Sequence, residues 1–363
     1  MRSPFGSSIA LLIWLGSANL LRPAALHGQS ADARPSTAWT IARDPFADLW
    51  FHALALIGYD GYGPLPLYDT RYTERAREAK TRARIATTLD RHVTDVRKAL
   101  AADSAFEVLH FLPLYFVGEE PTLVLAALRA AIRESPQAVH QSSLASTASV
   151  IAAALPTRQE RVVFASLLDA VDDEWTNFVR TYRSAHMLDD RRSLHDLEST
   201  WNDQFARSLD GYLSMVGITR GMILISPTVG GEGRIIREPG GTVIVAVSSG
   251  LGVAGESAAL LRVVRELAFP LLDQLRAPLV TSMTRVGAAR ERDAAAVRAG
   301  AIILDAVDKP LAAEYRRLFL DAIGGRAFEN AFPLSHDAEM ELRRLVSRAV
   351  RGAALGRTSY ENY

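Results

Sequence analysis

The chain has 363 residues, equal numbers of basic (Lys+Arg) and acidic (Asp+Glu) side chains at 41 each, a hydrophobic fraction of 48% and no Cys. Balanced charge gives no bias toward nucleic acid or an anionic membrane, and no nucleic-acid partner is expected. Without Cys there are no disulfides, no lipid anchor on Cys, no thiolate metal site and no Cys nucleophile, so the fold must rest on its core, as one large domain or two smaller ones.

Arg2 followed by an apolar run over 9–21 has the form of an export signal, and it is too short to span a bilayer. Ala31-Asp32-Ala33 matches a signal-peptidase site, with Gly28-Gln29-Ser30 as a second candidate, so 1–33 is expected to be removed and the mature protein to be secreted or periplasmic. No later stretch reaches membrane-spanning length without charges. Residues 34–48 are polar and contain Pro, and read as a leader. An apolar helix is predicted over 48–57, then a Gly-, Pro- and Tyr-rich loop over 58–66 whose Tyr59, Tyr62 and Tyr68 could line a groove or pack as a compact loop. Helical spacing continues over 73–154, where Ser104 and Glu107 form a capping-box pattern. Pro156 ends that region. Thr157 and Glu160 repeat the pattern at the head of a long helix to about 183, and another helix covers about 193–215.

After Gly217 the pattern changes. Short Ile- and Val-rich runs at 222–226, 234–237 and 242–248, parted by Gly and Pro, read as three strands. Helices follow over about 256–275, with Leu260, Val264, Leu267, Leu271 and Leu275 on its inner face, and over 288–307. Asp308 and Pro310 open another helix that stops at Gly324-Gly325, and a last helix covers 335–351. The expected class is α+β: mostly helical, with one small sheet just before one long helix. The expected organisation is a signal at 1–33, a helical region at 34–216, and a sheet-plus-helix region at 217–363.

The stretch LLRVVRELAFPLLD at 260–273 is the most informative. Arg265 and Phe269 stand at i and i+4, with Glu266 after the first of them, which is the spacing of the zinc-peptidase motif H-E-x-x-H. Three strands followed by this helix resemble the zincin metallopeptidase core, the gluzincin branch in particular. The resemblance covers about 217–320 and implies a zincin-like fold. Both zinc-ligand positions depart from the family pattern, to Arg265 and Phe269, and only Glu266 matches. Arg is permanently cationic and Phe has no donor atom, so the resemblance implies a lost metal site with no zinc or other cofactor. Arg265 would then place its charge where the metal's charge should be, paired to a nearby acid. The family's third ligand, a Glu on a following helix, is not assigned: Glu291 and Glu314 lie in the right region but match no motif. The plainer alternative is an amphipathic helix with an Arg262–Glu266 ion pair.

Other motifs are weaker. GLGVAG at 250–255 has the G-x-G-x-x-G spacing of a dinucleotide loop, but no acidic residue follows a second strand. Gly230-Gly231-Glu232-Gly233 reads as a hairpin turn. His186 and His195 sit near Asp189, Asp190 and Asp196 without ligand spacing, and His52 lies on an apolar helix beside Trp50 and Phe51. Three functions follow as expectations. The first is a non-catalytic exported protein that holds a peptide or protein in the former active-site cleft. The second is a hydrolase with ligands drawn from His52, His110 and Glu266. The third is a structural helical envelope protein.

Overall fold

The computed structural model describes residues 39–59, 64–102, 104–133, 142–186, 191–249, 255–276, 278–325 and 327–358; the expected signal at 1–33 lies outside them. The described residues open with strand β1 (Trp39–Ala42), where a polar leader was expected. Four residues leave little local signal, and the partner strand lies far along the sequence. Helix α1 (Pro45–Ile57) starts at Asp44, whose carboxylate accepts from the Ala47 amide at 2.7 Å, and stops at Gly58, whose φ of 68° forms a left-handed cap. Nearly all of α1 is buried, as an all-round apolar helix requires.

Helices α2 (Thr70–Ala83) and α3 (Thr88–Ala102) follow, then two short 3-10 turns at Ser104–His110 and Leu112–Phe116. The Ser104 capping pattern thus heads a 3-10 turn and not a long helix. Next come α4 (Pro121–Arg133), α5 (Ser143–Ala153) and α6 (Arg158–Glu174), which begins with the full Thr157–Glu160 capping box. A π-turn, Trp175–Val179, joins α6 to α7 (Arg180–His186). A second, Trp201–Ala206, joins α8 (Arg191–Thr200) to α9 (Arg207–Met215).

The three predicted strands are present as β2 (Arg220–Ser226), β3 (Arg234–Arg237) and β4 (Thr242–Ser248). With β1 they form one four-stranded sheet in the order β1-β2-β4-β3; β1, β2 and β4 are parallel and β3 runs antiparallel at the edge. Gly221 makes the β1–β2 pairing fit. The Trp39 ring lies over it, 2.1 Å from where a Cβ would stand.

The predicted single helix over 256–275 is instead α10 (Gly255–Leu267) and a short α11 (Phe269–Leu272). Pro270 has no N–H for the Glu266 carbonyl, which interrupts the ladder there. Leu260, Val264, Leu267 and Leu271 are all buried as expected, while Leu275 is half-buried. The remaining helices are α12 (Arg285–Val307), α13 (Lys309–Ile323) with its Asp308 cap and Gly324 stop, α14 (Phe328–Ala331) and α15 (His336–Thr358). The structure is therefore a mostly helical α+β fold with one small sheet.

The sheet is covered on both faces. Leu224, Ile236, Ile244 and Ala246 point into a core built with α1 to α7, and Ile223, Ile225, Val243, Val245 and Val247 into a second built with α8 to α15. This is the two-residue alternation of a strand applied to a sheet with no wet face. The two cores thus divide across the sheet and not along the chain at 216/217, since β1, α8 and α9 pack with the later elements.

Candidate functional site: a guanidinium among three carboxylates

The inner face of α10 carries Arg265 and Glu266 against the start of β3, and both are 1% exposed. Arg265 Nη1 donates to Glu266 Oε1, and Arg265 Nη2 donates to Asp293 Oδ1 at 3.1 Å across from α12. The Arg265 guanidinium lies 5.2 Å from the Phe269 ring centre, so the i and i+4 side chains meet despite the helix break. The Gly233 amide donates to Glu266 Oε1 at 3.0 Å. Only glycine permits that approach: a Cβ there would stand 2.6 Å from the Ala246 carbonyl oxygen and 2.8 Å from Glu266 Cγ.

Glu232, 2% exposed, completes the group. Its Oε2 lies 3.7 Å from Arg234 Nη1, beyond hydrogen-bond reach, and its Oε1 has no hydrogen-bond partner. Three carboxylates, Glu232, Glu266 and Asp293, therefore face two guanidiniums, Arg265 and Arg234. Burial raises the Glu232 carboxyl first; Arg265 opposes this, Asp293 adds to it, and the balance lies at about 7. Burial works against the charge of Arg265, but Glu266, Asp293 and Glu232 outweigh it and hold the guanidinium more firmly protonated than in water.

This donor set does not fit a zinc ion. Arg265 is a cation and Phe269 a hydrocarbon ring, neither able to ligate a metal, and Glu266 and Asp293 are hydrogen-bonded to the Arg265 guanidinium. Among the described residues no group of three or more His, Cys, Asp or Glu is arranged to hold a metal. Arg262 does not pair with Glu266; its Nη1 is buried without a hydrogen-bond partner, and burial weakens its hold on the proton while the charge of Asp69 opposes this.

The other predicted residues lie apart. His52 is fully buried between Tyr72, whose hydroxyl is 2.8 Å from Nδ1, and Glu174, 2.9 Å from Nε2. Lys80 donates to both Glu174 oxygens at 2.9 and 2.8 Å, and Thr87 Oγ1 donates to Oε2 at 2.5 Å. Burial pushes the Glu174 carboxyl up, but the hydrogen bond and field of His52, then those of Lys80, override it and hold it at about 2. His110 stacks on Tyr59 with ring centres 4.5 Å apart and meets the Tyr68 hydroxyl at 2.9 Å; burial, then the charge of Arg234, lowers its basicity well below that of a free imidazole. His52, His110 and Glu266 thus belong to separate hydrogen-bond groups. Glu291 caps the loop at Thr281 and Ser282, and Glu314 accepts from Ser257, so neither faces Arg265. His195 and Asp196 are exposed; Tyr62, Asp189, Asp190 and most of the GLGVAG loop lie outside the described residues.

The residues missing from the sequence reading are Asp293, Glu232 and Tyr315, whose buried hydroxyl has no hydrogen-bond partner and lies in the field of Arg265. Asp293 had a signal: it continues the buried line Val297, Gly300 and Leu304 on an Ala-rich helix face. Glu232 had none beyond its glycine neighbours. No family model, curated protein or solved structure matches the chain.

Proposed function

We propose that the protein is a non-catalytic, exported member of the zincin-like class, in which the Arg265 guanidinium stands where a metal would and an extended peptide docks on the open edge of the sheet. The observation that carries the first part is the convergence of Glu266, Asp293 and Glu232 on Arg265. A metal-activated water has no place in such a group, and Glu266, already a hydrogen-bond acceptor for Arg265 and Gly233, has nothing to deprotonate.

The two sheet edges support the second part. On β1 the outer edge is closed: Trp39 exchanges hydrogen bonds with Asn202, and the Ile41 amide donates to Glu198 at 2.8 Å. On β3 the Glu238 amide donates to Thr242 O at 2.8 Å, so by antiparallel alternation Arg234 and Ile236 turn their main chain to β4, and Ile235 and Arg237 turn theirs outward. Arg265 and Glu266 are sealed, so a ligand here meets the strand and not the ion cluster.

Among the described residues no helix is long and apolar enough to cross a membrane, and export rests on the 1–33 pattern. The mature N-terminal mass tests it: retention of 1–33 would contradict export. For binding, the purified protein is incubated with a tryptic digest of casein, and retained peptides are identified while intact casein is monitored for cleavage. We expect retention without cleavage, protection of the Ile235 and Arg237 amides from hydrogen exchange, and loss of both in Ile235→Pro, which removes no ladder bond. Zinc-dependent cleavage would overturn the non-catalytic reading; retention unaffected by Ile235→Pro would overturn the edge.

A further inference from the structure

A groove of about 500 Å³ lies elsewhere, between the C-terminal half of α4 and the N-terminal half of α6. Arg129, Arg133, Arg158 and Arg161 line it, against one carboxylate, Asp169. That acid is already committed: Arg129 Nε donates to Asp169 and its Nη2 to Asp172, both at 3.0 Å. Arg161 Nε donates to the Leu155 carbonyl at 3.0 Å, which fixes its direction, and it has no carboxylate partner among the described residues. Arg133 and Arg158 are exposed and have no carboxylate partner among the described residues. The groove also has an apolar wall. Ile132 is half-buried, and Val162, at 52%, is among the few large apolar side chains exposed among the described residues.

We propose that this groove binds an acidic peptide segment in which carboxylates flank an aliphatic side chain. Three guanidiniums without a carboxylate partner among the described residues, set around a Val–Ile wall, complement that chemistry, because Arg forks pair carboxylates bidentately while the aliphatic group covers Val162 and Ile132. The N-terminal dipole of α6 adds to the same sign. A flat anionic bilayer fits less well, since it cannot follow a concave surface down to Arg129 and Ile132. None of these residues belongs to β3 or to the Arg265 group, so the proposal is independent of the function proposed above.

The test uses the full-length protein and a fluorescein-labelled peptide, Glu-Leu-Glu-Asp-Leu-Glu, followed by anisotropy at low and physiological salt. We expect saturable binding that weakens with salt, no binding of the peptide with Lys in place of the acids, and a loss of about tenfold or more in Arg133→Glu/Arg158→Glu. Val162→Asp should weaken it separately, and both variants should keep the parental melting temperature because these side chains are exposed. Absence of binding at low salt, or binding unchanged in both variants, would overturn the proposal. So would Arg133- and Arg158-dependent binding to phosphatidylglycerol vesicles by a protein that ignores the peptide.

Discussion

Two buried ionic groups sit on opposite faces of the sheet, and they are balanced in opposite ways. Around Glu174 the donors are in excess: His52, Lys80 and Thr87 all reach one carboxylate, with Asp90 only 2.6 Å from Lys80. Around Arg265 the acids are in excess: Glu232, Glu266 and Asp293 against Arg265 and Arg234. A carboxylate surrounded by donors stays ionised to about 2, and one left without a hydrogen bond among other acids holds its proton to about 7. The contrast shows that burial alone does not set ionisation; the hydrogen-bond donors and the charges around the carboxyl decide it.

The largest expected effect comes from removing the cation. Arg265→Met leaves two buried acids, Glu232 and Glu266, and the half-buried Asp293 without their principal partner and should cost about 3–5 kcal/mol of stability, read by denaturant unfolding. Adding Glu232→Gln in that background should recover part of the loss, since one buried charge is removed. A loss below about 1 kcal/mol would mean that the acids relax to water and the group is not sealed.

Next, the two groups should give opposite pH dependences of about 3 kcal/mol each at most. Glu174 has a lowered folded-state value, so its stabilisation is full above about 4.5 and is lost as pH falls toward 2. Glu232 has a raised value, so the folded state keeps a proton that the unfolded chain has released; its stabilisation is full below about 4.5 and is lost as pH rises to about 7. Above neutral pH, Glu232→Gln should therefore stabilise by about 1–3 kcal/mol, and Glu174→Gln should destabilise. Unfolding curves across this range check both signs; two effects of the same sign would break the comparison.

The smallest effect concerns the support of the Arg265 group. Gly233→Ala should cost about 1–3 kcal/mol, because Ala246 O is main chain and cannot yield to the new Cβ. Gly240→Ala, where a Cβ meets nothing within 4 Å, serves as the control for left-handed backbone strain alone, its φ being 84°.

Much of this was legible in the sequence for reasons that can be named. β2, β3 and β4 carried their own Ile and Val runs, and the Thr157–Glu160 box and the Asp308 and Gly324 signals marked helix ends. The i, i+4 spacing of Arg265 and Phe269 put their side chains on one face, and the two meet at 5.2 Å. β1 did not, because Trp39–Ala42 becomes a strand only through Gly221, Asn202 and Glu198. The π-turns were hidden too, since their residues continue an ordinary helical pattern. Asp293 and Glu232 come to Arg265 from a helix and a turn that sequence spacing does not connect.

The claim that Arg265 stands in a metal's place is tested most directly by restoring the imidazoles. In Arg265→His/Phe269→His, two His at i and i+4 would face Asp293, and calorimetric titration should show about one zinc per chain, weakening below about pH 6 as His is protonated. Adding Asp293→Ala should abolish most of that affinity, and each single His variant should bind far less than the pair. Negligible zinc binding by the double variant, equal to that of the parent, would contradict the account and leave Arg265 as an ordinary buried ion pair on an amphipathic helix.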